Sequence, residues 1–177
     1  MNAEIISVGT ELLLGAVVNT DTAIVARALS ELGIDLMHTC VVGDNPRRLK
    51  EAVEGAIARS GLLIMTGGLG PTTDDLTKET TAAAAGKKLV LHEESLRRIE
   101  NYFNEKHVSE NQAKQAWLPE GCTVLQNDNG TAPGCAFQAE NGCTIIMLPG
   151  PPSELAPMLD NYAVPYLKKS QEYTIVS

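Results

Sequence analysis

The sequence is poor in aromatic and in basic residues, and both shortages limit what the protein can be. Only 4% of its 177 residues are aromatic, so the core must be built from Leu, Ile, Val and Ala. Lys and Arg number 14 against 22 Asp and Glu, which gives a net charge of −8 at pH 7. With no basic stretch in the chain, we expect no binding to nucleic acid or to an anionic membrane surface.

Long apolar runs and paired cysteines are also missing. No apolar run reaches the roughly 18 residues that a membrane span needs, and residues 1–4 carry no basic segment typical of a signal peptide. The four cysteines, at 40, 122, 135 and 143, form no CxxC pair, so we expect reduced, buried thiols rather than a zinc site or a disulfide. A cytoplasmic location is expected.

The first third of the chain alternates apolar strands with amphipathic helices. The strands are predicted at 4–9, 34–42 and 62–66. One helix begins at the possible N-caps 19–21, and the next begins at Asn45 with Pro46 in its first position. Continuous apolar strands separated by helices predict a parallel sheet covered on both faces. The fold class is therefore α/β: a doubly wound, mostly parallel sheet.

The second half of the chain changes pattern and adds a C-terminal hairpin. Asn141-Gly142 predicts a two-residue turn between two strands, and Ser109 with Gln112 forms a capping box that begins a helix. The segment 171–177 has strand character. We assign residues 1–168 to one domain and 169–177 to a tail or the start of a truncated extension. The other predicted helices are 76–85, 93–107 and 153–162, and the other strands are 88–91, 123–125, 135–139 and 143–148.

Gly- and Pro-rich loops follow several strands, at the edge of the sheet where open parallel sheets bind ligands. Glycines let the backbone approach a ligand and expose successive amides, and a helix that follows adds an N-terminus favourable to anions. We therefore expect a phosphate-binding site, although neither a dinucleotide fingerprint nor a P-loop is present. A tight strand-to-helix turn is the structural alternative. The loops contain Gly67, Gly68, Gly70, Ala132, Pro133, Gly150 and Pro151.

Carboxylates lie beside these loops. Asp74 or Thr73 is expected to cap the helix that begins at residue 76, which leaves Asp75 and Glu11 unexplained. Carboxylates next to a phosphate repel it unless a divalent cation lies between them, and oxygen ligands suit Mg²⁺ or Mn²⁺. We therefore predict a metal held by Asp75, Glu11 and Asp74. A capping or backbone-anchoring role is the alternative for Glu11.

Several other polar residues are candidates for substrate contacts. Threonine hydroxyls at 10, 72, 77 and 131 could donate to phosphate or ribose, and Glu154 could bind an edge of a base or ribose. Lys78 lies one turn into its helix and could reach a phosphate, or it could be a solvated surface lysine. No His pairs with a Ser or Cys in a triad, so a serine- or cysteine-nucleophile hydrolase is rejected.

Four segments together resemble the N-terminal domain of the competence/damage-inducible CinA family, within the molybdopterin-binding (MoaB/MogA-like) superfamily. The resemblance runs from about residue 4 to 168 with every motif in order. The segments are SVGTELLLG at 7–15, TGGLGPTTDDLTK at 66–78, NGTAPG at 129–134 and LPGPPSE at 148–154.

This resemblance implies a three-layer α/β/α domain and an activity. The activity is an ADP-ribose pyrophosphatase, which splits ADP-ribose into AMP and ribose 5-phosphate with a divalent metal (Mg²⁺, Mn²⁺ or Co²⁺) and with K⁺ as a further ion. Asp75 closes the superfamily's TGGxGxxxxD motif, and Glu11 borders the same cleft. The expected catalytic residues are Asp75, Glu11 and Lys78, and the expected substrate contacts are Thr10, Gly67, Gly68, Gly70, Thr72, Thr131, Ala132, Pro133, Gly150, Pro151 and Glu154.

Two other functions remain open at this stage. The same carboxylates could bind Mg-ATP in a molybdopterin-handling adenylyltransferase, or the loops could hold a nucleotide as a regulatory ligand without turnover. In each case the partner is a small-molecule nucleotide. By analogy with related domains, we also expect a homo-oligomer, either a dimer or a trimer.

Overall fold

A computed structural model describes residues 1–176 of the chain, apart from the side chain of Val176. These residues form a six-stranded sheet in the order β2-β1-β3-β8-β7-β6 and a small two-stranded sheet, β4-β5. The large sheet consists of β1 (Asn2–Val8), β2 (Asp35–Val42), β3 (Leu62–Thr66), β6 (Thr123–Leu125), β7 (Gly134–Gln138) and β8 (Thr144–Leu148). The small sheet consists of β4 (Leu89–Leu91) and β5 (Trp117–Pro119).

The large sheet is mixed. β1 pairs in parallel with β2 and with β3, and β3 pairs in parallel with β8. β7 runs antiparallel to β8 and to β6. Because β1, β3 and β8 are neighbours, the loops after Val8, Thr66 and Leu148 leave the sheet at the same edge.

Helices cover both faces of the sheet, which confirms the predicted three layers. Apolar side chains of α3, among them Leu49 and Val53, pack with one face of the sheet. Val25 and Leu29 of α2 pack with the opposite face, beside the C-terminal helices. The helices are α1 (Thr10–Leu13), α2 (Thr20–Glu31), α3 (Pro46–Arg59), α4 (Thr77–Ala84), α5 (Glu93–Phe103), α6 (Glu110–Ala113), α7 (Pro152–Met158) and α8 (Val164–Val176).

Three predicted helix starts agree with the structure and one does not. Ser109 accepts a hydrogen bond from the Gln112 amide and caps α6, as the capping box predicts. Asn19 and Asn45 accept hydrogen bonds from the amides of Thr22 and Arg48, so both cap their helices. The prediction that Asp74 or Thr73 caps α4 is wrong: the N-cap position is Leu76, which makes no side-chain cap bond. A tight turn before Leu76 takes the place of a cap.

The hairpin and the small sheet also differ from prediction. The β7–β8 turn is closed by the Gly142 amide, which donates to the Ala139 carbonyl at 2.9 Å, so Asn141-Gly142 are the last two residues of a longer turn and not its centre. β5 was not predicted, because its strand partner β4 lies 25 or more residues earlier in the chain. All four cysteines are free, and Cys135 and Cys143 are buried.

Residues 171–176 are helical where a strand was predicted. α7 continues through a π-helical turn at Leu159–Ala163 into α8, which extends through the segment predicted as a strand. Pro165 has no amide hydrogen to donate, and the wider π turn just before it lets the chain remain helical. The strand prediction for 171–176 is therefore wrong, and Ser177 lies outside the described residues.

Candidate functional site

A cleft of about 470 Å³ lies at the carboxyl ends of β1, β3 and β8. This is the edge of the sheet where the sequence placed the phosphate-binding loops. Its lining includes ten of the predicted site residues: Glu11, Gly67, Gly68, Gly70, Asp75, Thr131, Ala132, Gly150, Pro151 and Glu154.

The charged side chains that line this cleft in the described part of the chain are all acidic. Four carboxylates line it, those of Glu11, Asp21, Asp75 and Glu154. Within residues 1–176, no Lys, Arg or His belongs to the lining. Such a cleft favours cations, and an anionic ligand needs backbone amides or a bound cation to offset the carboxylates.

The glycine loop after β3 supplies such amides. Gly67 and Gly68 have φ angles of +86° and +71°, a conformation that glycine adopts without strain. The Gly67 amide donates to the Leu148 carbonyl at 3.0 Å and fixes the loop to β8. In the described part of the chain, the amides of Gly68, Leu69 and Gly70 donate to no protein acceptor, so they remain available to a ligand.

Asp75 is held in place by its own loop. Its Oδ2 atom accepts hydrogen bonds from the Thr72 amide at 2.9 Å and the Thr72 hydroxyl at 2.7 Å. The Lys114 ammonium donates to the carbonyls of Thr72 and Asp75 at 2.7 and 2.6 Å. Thr72 therefore orients the carboxylate and does not line the cleft itself, while the neighbouring Asp74 is exposed and outside the lining.

Glu11 reaches the cleft from the short helix α1. Its carboxylate lies over Gly9, where an added Cβ would come within 2.5 Å of the Glu11 Oε1 atom. The preceding residue, Thr10, points elsewhere: its hydroxyl donates to the Asp44 carboxylate at 3.1 Å and accepts from the Asp44 amide at 3.0 Å. Thr10 thus joins α1 to the loop after β2 and is not part of the cleft lining.

Lys78 is neither a surface lysine nor part of the cleft lining. Its side chain is only 3% exposed, and its Nζ donates to the Lys114 carbonyl at 2.9 Å. Burial lowers the pKa of Lys78 to about 8. The structure thus gives this ammonium a structural contact with the segment after α6 and does not place it beside the glycine loop.

The far wall of the cleft is braced by a residue that was not predicted. The side-chain amide of Asn127 donates to the Ala132 carbonyl at 2.9 Å and to Glu154 Oε1 at 2.8 Å. These two bonds hold the loop before β7 against α7. Pro133 lines a neighbouring cavity of about 400 Å³ instead. The residue pattern gave no signal for Asn127, because its contacts join two distant segments.

Asp21 is the second residue that sequence reasoning missed. It lies in the first turn of α2, is 9% exposed and lines the cleft. Among residues 1–176, nothing donates a hydrogen bond to its Oδ1 atom. Burial raises the pKa of this carboxyl to about 6. In the sequence it was only one of three possible helix caps.

The cleft offers oxygen donors to a metal ion but, among the described residues, not a complete set of protein ligands. Among residues 1–176, no group of three His, Cys, Asp or Glu side chains could hold a metal ion. Glu11 and Asp75 line one cleft, and Mg²⁺ commonly takes one or two carboxylates while water and substrate phosphates complete its shell. These two residues fit such a metal, whereas Asp74 lies outside the cleft lining.

The fold and the cleft together define a class of protein: an α/β domain with a cleft at the carboxyl ends of its strands, formed by a glycine loop and flanked by carboxylates. The family model described as "Probable molybdopterin binding domain" matches residues 4–169. The chain therefore belongs to the molybdopterin-binding domain family.

The chain is also similar to curated CinA-like proteins and to a solved CinA structure. A CinA-like protein of Desulfovibrio desulfuricans is 53% identical over 177 residues, which cover 100% of this chain and 42% of that protein. The chain thus spans about two-fifths of the length of such relatives. The crystal structure of CinA from Thermoplasma acidophilum has a TM-score of 0.84 and 35% identity, and the match covers 90% of this chain and 94% of that one.

A more distant structure has the same fold. MoaB from Thermus thermophilus, a molybdopterin biosynthesis enzyme, has a TM-score of 0.61 at 17% identity, and the match covers 90% of this chain and 87% of that one. No helix formed by residues 1–176 is long and apolar enough to cross a membrane. The cytoplasmic location and the dimeric or trimeric state stay predictions.

Proposed function

We propose that the cleft binds a nucleotide diphosphate together with a divalent cation and hydrolyses its diphosphate linkage, with ADP-ribose as the substrate to test first. The observation that carries the proposal is a glycine loop with available amides inside a cleft lined by four carboxylates and, among the described residues, by no basic side chain. The amides suit phosphate oxygens, and the carboxylates require a cation beside them.

The residues of the chain have separate roles in this proposal. The amides of the Gly67–Gly70 loop bind the phosphate oxygens, and Glu11 and Asp75 would hold the divalent cation directly or through water. When bound, the cation polarises the phosphoryl oxygens. Thr72 fixes the orientation of Asp75 through two hydrogen bonds. Water attacks one phosphorus atom, and the bond to the bridging oxygen breaks to give AMP and ribose 5-phosphate.

The test is release of AMP from ADP-ribose, measured by chromatography with Mg²⁺, Mn²⁺ or Co²⁺, with and without K⁺, and in excess EDTA. We expect metal-dependent release by the wild type and a loss of 100-fold or more in Asp75→Asn, a change of about 3 kcal/mol or more in transition-state stabilisation. Asp35→Asn, which removes one charge at the opposite end of the sheet, should retain the activity. Equal rates in wild type and Asp75→Asn would remove Asp75 from the mechanism.

The comparisons support a second candidate, and they support it better than ADP-ribose hydrolysis. The family model is named for molybdopterin binding, and the MoaB neighbour is named as a molybdopterin biosynthesis enzyme. In that role the cleft would bind a pterin phosphate, or Mg-ATP for adenylyl transfer. Transfer of AMP to molybdopterin with no turnover of ADP-ribose would favour it. Thermal stabilisation by a nucleotide, without turnover in any metal, would indicate a non-catalytic binding domain.

A further inference from the structure

Asp21 occupies a distinct part of the cleft. It belongs to α2, whose apolar side chains Val25 and Leu29 pack on one face of the sheet. The glycine loop leads instead into α4, whose C-cap residue Ala85 packs with the opposite face. Asp21 and Asp75 therefore line the cleft from opposite sides of the strand ends.

Two side chains close to Asp21 in the chain, those of Asn19 and Thr22, form hydrogen bonds with other groups. The Asn19 side-chain amide donates to the hydroxyls of Ser7 and Thr22, at 3.2 and 2.9 Å. The hydroxyls of Ser7 and Thr22 also bond to each other at 3.1 Å. These three side chains fix the start of α2 to β1 and leave the Oδ1 atom of Asp21 without a partner among the described residues.

A buried carboxylate oxygen without a donor costs free energy, and a ligand that supplies donors removes the cost. The cleft offers no cationic side chain in the described part of the chain, and the other lining residues near Asp21 in sequence include the apolar Val17 and Val18. The four carboxylates also do not gather into a metal centre of three protein ligands within residues 1–176. A ligand in the cleft can supply these donors.

We propose that Asp21 binds the vicinal hydroxyl groups of a ribose whose phosphate lies on the glycine loop. The inference rests on the proposed function, since it takes a nucleotide as the ligand. A ribose is joined directly to its 5′-phosphate, so a phosphate on the loop brings the sugar into the same cleft. Its two hydroxyls are neutral donors that match the two acceptor oxygens of a carboxylate, whereas a second phosphate group would be repelled.

The test measures binding with probes that differ only in the hydroxyls. Dissociation constants are measured by calorimetry in Mg²⁺ at pH 8 for AMP and 2′,3′-dideoxy-AMP, and for ribose 5-phosphate and 2-deoxyribose 5-phosphate, which lacks one of the two hydroxyls. The proteins are wild type, Asp21→Asn and Asp21→Ala, with Asp35→Asn as the control. The two probe pairs distinguish the ribose of the adenosine from the terminal ribose.

We expect wild type and Asp35→Asn to prefer the hydroxylated member of at least one pair by about tenfold, because hydrogen bonds to a charged acceptor are strong. The preference should fall below about threefold in Asp21→Asn and disappear in Asp21→Ala, with little change for the deoxy member. Equal weakening of both members, no preference in the wild type, or no binding of any probe would overturn the inference.

Turnover of ADP-ribose, measured on the same samples, keeps the two proposals apart. A hydroxyl preference that depends on Asp21, without AMP release in any metal, supports the contact and rejects hydrolysis. Metal-dependent AMP release with equal hydroxyl preference in wild type and both Asp21 variants supports hydrolysis and rejects the contact.

Discussion

Asp21 destabilises the folded protein whenever its carboxyl is ionised. Burial raises its pKa to about 6 from an ordinary value of 3.8, so the folded state holds this proton more tightly than the unfolded state does. Stability from this group is fully present below pH 3.8 and is lost as the pH rises through about 6. Well above pH 6, the destabilisation caused by the ionised carboxylate no longer changes with pH.

The substitution Asp21→Asn should therefore stabilise the protein at pH 8. We expect a gain of up to about 3 kcal/mol in the free energy of unfolding, the equivalent of the pKa shift, and a much smaller gain at pH 4.5, where the native carboxyl is protonated. Urea unfolding at both pH values measures it. Asp35→Asn is exposed and should change stability by less than about 0.5 kcal/mol at either pH. A gain that is equal at both pH values, or a loss at pH 8, would contradict the assigned burial cost.

Whether the location of a single residue could be predicted depended on what determines its surroundings. Glu11 and Asp75 lie in the segments that follow β1 and β3, so their place in the chain was enough to predict them at the sheet edge. Lys78 and Asp21 could not be judged in this way, because burial decides their environment and burial arises from packing between distant segments. A buried carboxylate without a hydrogen-bond donor cannot be recognised in a sequence, because folding decides which donors surround it.

At the level of elements, the glycine loop between β3 and α4 lies in close contact with the neighbouring strand β1. A Cβ added to Gly67 would lie 2.5 Å from the Val8 carbonyl oxygen, which is backbone and cannot turn aside. Its φ of +86° adds strain for any other residue. The loop therefore needs glycine here for two reasons, conformation and space.

A comparison of Gly67→Ala with Gly142→Ala separates the cost of the backbone conformation from the cost of the close contact with Val8. Gly142 has nearly the same φ, +89°, but nothing lies within 4 Å of an added Cβ, so its substitution should cost about 1–2 kcal/mol from backbone strain alone. Gly67→Ala should cost about 2 kcal/mol more, because the loop must move away from β1. Chemical denaturation of both variants measures the difference. Equal losses would mean that the loop relaxes freely and that its position is not set by contact with β1.

Elements with strong periodic patterns were predictable, and elements fixed by remote partners were not. α3 presents Leu49, Val53 and Ala56 at helical spacing, and all three are buried as that spacing predicts. β5 forms only because β4 pairs with it, and α8 continues helically through Tyr173, Thr174 and Ile175, whose β-prone side chains predicted a strand. Local propensity is weak there, and the preceding helical turns decide the outcome.

For the whole molecule, the order of elements was enough to predict the layers. Alternating strands and helices determine a parallel sheet with helices on both faces, because crossovers between parallel strands must pass over a face. The sequence placed the loops of several strands at one edge of the sheet, but it could not indicate that the described lining of their cleft has four carboxylates and no basic side chain. That balance depends on which side chains point into the cleft. Thr10 and Lys78 do not line it, because Thr10 bonds to Asp44 and the buried Lys78 bonds to the Lys114 carbonyl.

Under the proposed function, the charge of the cleft, within a molecule of net charge −8, would make the cation and the diphosphate depend on each other for binding. The diphosphate alone would face uncompensated carboxylates, and the cation alone, although attracted to them, would lack the phosphate oxygens that complete its shell. ADP-ribose with Mg²⁺ should therefore raise the melting temperature by about 5–10 °C at a ligand concentration 100 times the Kd, while Mg²⁺ alone or ADP-ribose in EDTA should raise it by less than about 2 °C.

Differential scanning fluorimetry of wild type and Asp75→Asn at constant ionic strength makes this measurement. The joint shift should be lost in Asp75→Asn, because removal of one carboxylate weakens the cation site, and kept in Asp35→Asn, whose charge lies at the far end of the sheet. An equal shift by ADP-ribose in EDTA and in Mg²⁺ would mean that the loop amides alone offset the repulsion. The carboxylates would then need a role other than holding a metal, and hydrolysis assisted by a cation would lose its electrostatic basis.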